Sequence, residues 1–132
     1  MKQFVVGTLI EVDGEILVLK RTPDVKQPNQ WGLPAGIVRE DEKHIDTAIR
    51  EVKEETGYKA KPNQFKFIME FVWDFTKKIV VFPVYRIKLK EQFDVKIFPL
   101  EHVDYMWINP KELYKRKDLI HGFYDLIEKI YF

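Results

Sequence analysis

The sequence predicts an α+β sandwich, a sheet flanked by helices, and three observations predict it. Apolar runs of strand length recur between turn signals. Two longer segments carry apolar residues at helical spacing. The strands arrive as hairpins rather than in regular alternation with helices. With 132 residues, the chain fits one compact domain over 1–132, and 45% hydrophobic residues are enough for a real core.

Phe4 to Glu11 reads as the first strand, and Asp13-Gly14 as the tight turn of a hairpin. Glu15 to Arg21 returns as its partner, with Ile16, Val18 and Lys20 on one face and Leu17 and Leu19 on the other. Thr22 to Gln30 holds Pro23, Asp24, Pro28 and Asn29 and reads as a loop. Trp31 to Gly36 is a short extended piece entering a glycine turn. Glu42 to Thr56 predicts a helix whose buried stripe is Ile45, Ala48, Ile49 and Val52, closed by Gly57 as a left-handed C-cap. Phe65 to Phe75 and Ile79 to Leu89 predict two strands joined at Lys77-Lys78, and Val103 to Ile108 another. Asn109 caps a short helix beginning at Pro110. Asp118 to Tyr131 predicts a C-terminal helix with Leu119, Phe123, Leu126, Ile127 and Ile130 as its stripe, a packing surface for this chain or for a second copy; monomer and homodimer both fit.

Composition excludes several function classes. There are no cysteines, so disulfides, thiolate metal sites and cysteine nucleophiles are absent. Twenty-two basic against 21 acidic residues give a net charge of +1, with no basic arm for nucleic acid. No apolar stretch is long enough to span a membrane, and the N-terminal segment lacks the pattern of a signal peptide, so a cytoplasmic location is expected.

The chemistry concentrates between Gly36 and Tyr58. On the predicted helix Glu51, Glu54 and Glu55 share an arc of about 100° flanking the buried stripe. Glutamates four apart repel, at a cost of about 0.2–0.5 kcal/mol per pair. Three crowded carboxylates suit a hard divalent cation such as Mg²⁺, which takes oxygen ligands and substrate phosphates, and one carboxylate is then free to take a proton from water. Against this stands the ordinary fate of a glutamate-rich helix face, which is solvation. The wider spacing decides between them: Gly36, Glu42, Arg50-Glu51-Val52, Glu54-Glu55 and Gly57-Tyr58 form one ordered pattern.

That pattern resembles the Nudix box, G-x5-E-x7-R-E-U-x-E-E-x-G-U with U a bulky apolar residue. Tyr58 stands at the last position in place of an aliphatic residue. The resemblance extends to the opening hairpin, to Trp31-Gly32-Leu33-Pro34 and to Trp107-Ile108-Asn109-Pro110. It implies a Nudix-type α/β/α sandwich with a mixed β-sheet, and hydrolysis of a nucleoside diphosphate linked to another moiety. Glu51, Glu54 and Glu55 would ligate Mg²⁺, with Mn²⁺ a substitute, and one of them would serve as base. The Gly36 carbonyl would join the metal shell. Glu42 would pair with Arg50, which counts with the glutamates as catalytic machinery, and Arg21 would contact substrate phosphate. Arg39 stands where members often carry a glutamate and becomes a substrate-binding candidate.

The short length and early box look most like MutT-type nucleoside triphosphate pyrophosphatases, acting on ordinary or oxidised nucleotides. ADP-ribose, nucleotide sugars and dinucleoside polyphosphates are the alternative substrates, although the proline and tyrosine typical of the ADP-ribose and dinucleoside polyphosphate groups are missing after the box. A non-catalytic nucleotide sensor is the other alternative, disfavoured because every box glutamate is kept. Trp31, Trp73, Phe75, Phe82, Tyr85 and Trp107 are candidates to stack on a base, although aromatics at strand positions are more often core. His44, His102 and His121 show no metal-ligand spacing and read as surface or locally bonded residues.

Overall fold

A computed structural model describes residues 1–132. The strands are β1 (Lys2–Val12), β2 (Glu15–Arg21), β3 (Trp31–Gly32), β4 (Ala35–Ile37), β5 (Lys66–Phe75), β6 (Lys78–Leu89) and β7 (His102–Ile108). The helices are α1 (His44–Thr56), α2 (Pro110–Tyr114) and α3 (Phe123–Tyr131), with a single 3₁₀ turn at Pro62–Gln64. The strands form one mixed sheet in the order β3-β2-β1-β6-β5, with β4 paired to β1 and β7 to β2. β1 and β6 run parallel, and the other pairs are antiparallel.

Alternation along β2 builds the layers. Ile16 and Val18 join Leu9 in one core, where Leu113 of α2 and Phe123, Leu126 and Ile127 of α3 cover them. Leu17 and Leu19 join Ile10 in the other, covered by Val52 of α1 and by Val95. A strand apolar on both faces needs a cover on both faces, and α1 and α3 supply the two outer layers of an α/β/α sandwich. The Asp13-Gly14 turn has positive φ at both residues, 50° and 80°, the primed geometry that matches strand twist.

Two helices begin later than the pattern predicts. Asp118 to Gly122 is not helical: the Trp31 amide donates to the Asp118 carbonyl at 2.8 Å and the Ile120 amide to the Trp31 carbonyl at 3.0 Å, a strand-like bridge to β3. Gly122 then turns left-handed, φ 85°, and α3 starts at Phe123. At α1, Glu42 stays outside the helix because its carboxylate is engaged by Arg39, Thr47 and Arg50, and Lys43 becomes the N-cap with its amide donating to Asp46. The C-terminus of α1 is as expected: Gly57 at φ 82° donates its amide to the Lys53 carbonyl. The β5–β6 turn lies at Thr76-Lys77, one residue before the predicted joint, since β6 starts at Lys78.

Candidate active site

The site is where α1 crosses β4, between the sheet and the ends of β2 and β7. The helix is rotated so that Thr47, Ala48, Val52, Glu55 and Thr56 are buried, while Ile45 and Ile49 are only half-buried. Glu55 therefore does not flank the buried face; it lies within it, 4% exposed. The Ala35 amide donates to Glu55 Oε1 at 2.8 Å and pins α1 to β4. Glu51 sits one turn earlier, largely covered, and Glu54 is half-exposed.

Glu51 lies directly over Gly36. A Cβ at Gly36 would fall 2.1 Å from Glu51 Cδ. Gly36 is part of β4, paired with Val6, and its φ is not left-handed. The glycine is thus required by the close approach of the glutamate, and not by the turn the sequence suggested.

Arg50 organises these carboxylates. It binds Glu42 through two parallel bonds, Nε to Oε2 at 2.6 Å and NH2 to Oε1 at 2.8 Å, the fork geometry that fixes both groups. Its NH1 reaches Glu51 Oε1 and, at 3.5 Å, Glu54 Oε2, and NH2 also donates to the Ile37 carbonyl. Arg50 thus acts through Glu42 and Glu51, holding the β4 loop and the glutamate together.

The Arg50 guanidinium holds the Glu42 carboxyl well below the usual range, at about 2, against a smaller opposing effect of burial, with the Arg39 amide and Thr47 hydroxyl assisting. A depressed carboxyl stabilises the fold fully above its ordinary value of 4.5 and loses that contribution as pH falls through about 2. An NMR titration of the Glu42 carboxyl is expected to give a value near 2, returning toward 4.5 in Arg50→Ala; an ordinary value in the unsubstituted protein removes the clamp.

Glu51 and Glu55 shift the other way. Burial raises Glu51, opposed by Arg50. Burial also raises Glu55 strongly, with a hydrogen bond shared with Glu101 adding to it and the Ala35 amide opposing it.

Glu101 and His102 are the residues sequence reasoning missed. Donor atoms of Glu55, Glu101 and His102 lie within 4.8 Å of one another. Pairing of β7 with β2 brings them there, placing His102 opposite Arg21 at a bulge. His102 is neither a surface residue nor a locally bonded one: it is 3% exposed and its Nδ1 has no hydrogen-bond partner. Burial pulls the imidazole down to about 4, so it is neutral near pH 7 with a lone pair to offer. One oxygen each from Glu55 and Glu101, together with a ring nitrogen of His102, fit a divalent cation. The one legible signal was the adjacency of Glu101 and His102 just before a predicted strand.

Glu51 and Glu101 line a cleft of about 460 Å³ together with Arg21, Ala35, Gly36 and Arg39. Arg21 is oriented by its Nε–H bond to the Lys26 carbonyl at 2.6 Å. Cationic and anionic side chains therefore line the same cleft. Trp31 is not in this cleft; it is 5% exposed and packed in the first core, with Arg116 over its ring. Trp73 and Phe82 line a narrow apolar recess with His121, next to Ala35. Phe75 packs on His121, Tyr85 lies between Phe65 and Phe67, and Trp107 packs on Phe93. No helix is long and apolar enough to cross a membrane.

The family model of the NUDIX domain matches residues 1–130. The crystal structure of the MutT protein from Methanosarcina mazei Go1 is similar at a TM-score of 0.85 and 28% identity, covering 97% of this chain and 91% of that one. The CTP pyrophosphohydrolase of Escherichia coli (strain K12) is 26% identical over 108 residues, 82% of this chain and 76% of its own length. The RNA pyrophosphohydrolase of Bartonella tribocorum is 37% identical over 71 residues, which is 51% of this chain and 39% of that protein. The chain thus spans only about two fifths of the length of the latter relative.

Proposed function

Because this chain belongs to the NUDIX family, we propose that it is a Mg²⁺-dependent pyrophosphohydrolase acting on nucleoside triphosphates, ordinary or oxidised, with Mn²⁺ able to substitute. The observation that carries this reading is that Glu51 of α1 and Glu101 line one cleft with Arg21 and Arg39. Carboxylates alone would repel a polyphosphate, and arginines alone would bind one without cleaving it. The likeness to a MutT protein and to a CTP pyrophosphohydrolase supports the choice of triphosphate.

Glu51, Glu54 and Glu55, with Glu101 and the Gly36 carbonyl, would hold the cation. When bound, it neutralises charge on phosphate oxygens and acidifies a water molecule. Arg21 and Arg39 bind and orient the phosphate chain as bidentate donors. Glu54, the half-exposed member of the set, would serve as ligand or accept the proton of the attacking water. Arg50 and Glu42 keep Glu51 in position through the cycle. Water attacks phosphorus, the bond to the bridging oxygen breaks, and a nucleoside monophosphate and pyrophosphate leave.

The test is a substrate panel with Mg²⁺: nucleoside triphosphates, oxidised nucleotides, ADP-ribose, nucleotide sugars and dinucleoside polyphosphates, with products identified. The expected result is a monophosphate and pyrophosphate from a triphosphate, with inorganic phosphate detected only after an inorganic pyrophosphatase is added. Turnover confined to ADP-ribose or a dinucleoside polyphosphate would replace the substrate class. Tight binding without turnover of any member would make the domain a sensor.

A further inference from the structure

We infer that His102 donates a ring nitrogen to a divalent cation held with Glu55 and Glu101, so that this position takes a first-row transition ion such as Mn²⁺ in preference to Mg²⁺. Three observations meet here. The donor atoms of Glu55, Glu101 and His102 lie within 4.8 Å of one another, close enough for one ion to serve all three. His102 is 3% exposed and its Nδ1 has no partner, whereas buried polar atoms are nearly always satisfied. The three groups come from α1, from the segment before β7 and from the first residue of β7, so the strand pairing of β7 on β2 preorganises them. Glu55 is fixed by the Ala35 amide, and Glu101 is exposed, giving an ion a path from the cleft.

An imidazole donor changes what the position prefers. Mg²⁺ selects oxygen ligands, while an imidazole nitrogen favours first-row transition ions, among which Mn²⁺ is the one that also keeps carboxylate oxygens. The inference rests on the reading that Glu55 faces a cation and adds to it a nitrogen and a selectivity. Glu55 and Glu101 belong to the oxygen set proposed for the hydrolase cation, and a Mg²⁺ held there through oxygen alone is left as before.

The probe is Mn²⁺ alone, added to the full chain without nucleotide, and the readout is electron spin-echo modulation from directly coordinated nitrogen. The expected result is a histidine nitrogen signal that disappears in His102→Gln, where Mn²⁺ binding weakens at least about tenfold and Mg²⁺ binding changes little. Bound Mn²⁺ without a nitrogen signal overturns the inference and leaves the proposed hydrolase standing. A signal that persists in His102→Gln also overturns it, and so does equal weakening of Mn²⁺ and Mg²⁺, which would make His102 a positioning residue. No Mn²⁺ binding at all would overturn both this inference and the metal site of the hydrolase. The unsubstituted protein gives the decisive signal, so the result does not depend on the variant folding.

Discussion

Glu54→Gln is expected to reduce turnover by about 10²–10⁴-fold while leaving the fold intact. The side chain is half-exposed, and its one ion-pair contact is Arg50 NH1 at 3.5 Å. Exposed pairs of that kind contribute about 0–1 kcal/mol, so thermal stability should change little. The proposed role, ligand or proton acceptor, requires a full negative charge, and glutamine keeps shape while removing it. The measurement is steady-state turnover of the panel's best substrate with saturating Mg²⁺, beside a melting curve. Retention of normal turnover by the purified variant would show that Glu54 does neither job. Loss of turnover with a collapsed melting curve would instead point to a structural role, which the exposure of this side chain argues against.

The parts of this site visible in the sequence are those that lie on one helix and its two flanks. Glu51, Glu54 and Glu55 are fixed relative to one another by the helical repeat, Gly57 by the C-cap, and the Glu42–Arg50 pair by a spacing of eight residues across the start of α1. What helical spacing could not supply was the rotation of α1 about its axis. Packing of Val52 against Leu17 and Leu19 sets it, and it buries Glu55. Glu101 and His102 were illegible for a different reason: they lie 46 and 47 positions beyond Glu55, and only the β2–β7 register brings them to it. The start of α3 was misread on the same ground, since apolar spacing at Leu119 and Phe123 looks helical while the hydrogen bonds of Asp118 and Ile120 go to Trp31. Local pattern is a weaker force than a tertiary backbone bond when the two compete.

Gly36→Ala is expected to abolish most activity at modest cost in stability, because the methyl group acts on Glu51 rather than on the backbone. Its Cβ would meet Glu51 Cδ at 2.1 Å, Oε1 at 2.2 Å and Cγ at 2.4 Å, so the glutamate must swing away. The β4 backbone has no left-handed φ at Gly36, so alanine introduces no dihedral strain. The displaced carboxylate loses its bond to Arg50 and its place in the cleft. A misplacement of about 1 Å can cost about 10²-fold in rate, and overpacking typically costs about 1–3 kcal/mol. The mechanism is separable from general disruption by a double-substitution cycle with Glu51→Ala. If the methyl group acts by expelling Glu51, Gly36→Ala in the Glu51→Ala background should cause little further loss of turnover, a large non-additivity between residues in contact. Independent losses that multiply would mean that Gly36 serves the site by another route, and normal turnover of Gly36→Ala alone would mean that Glu51 works equally well from elsewhere.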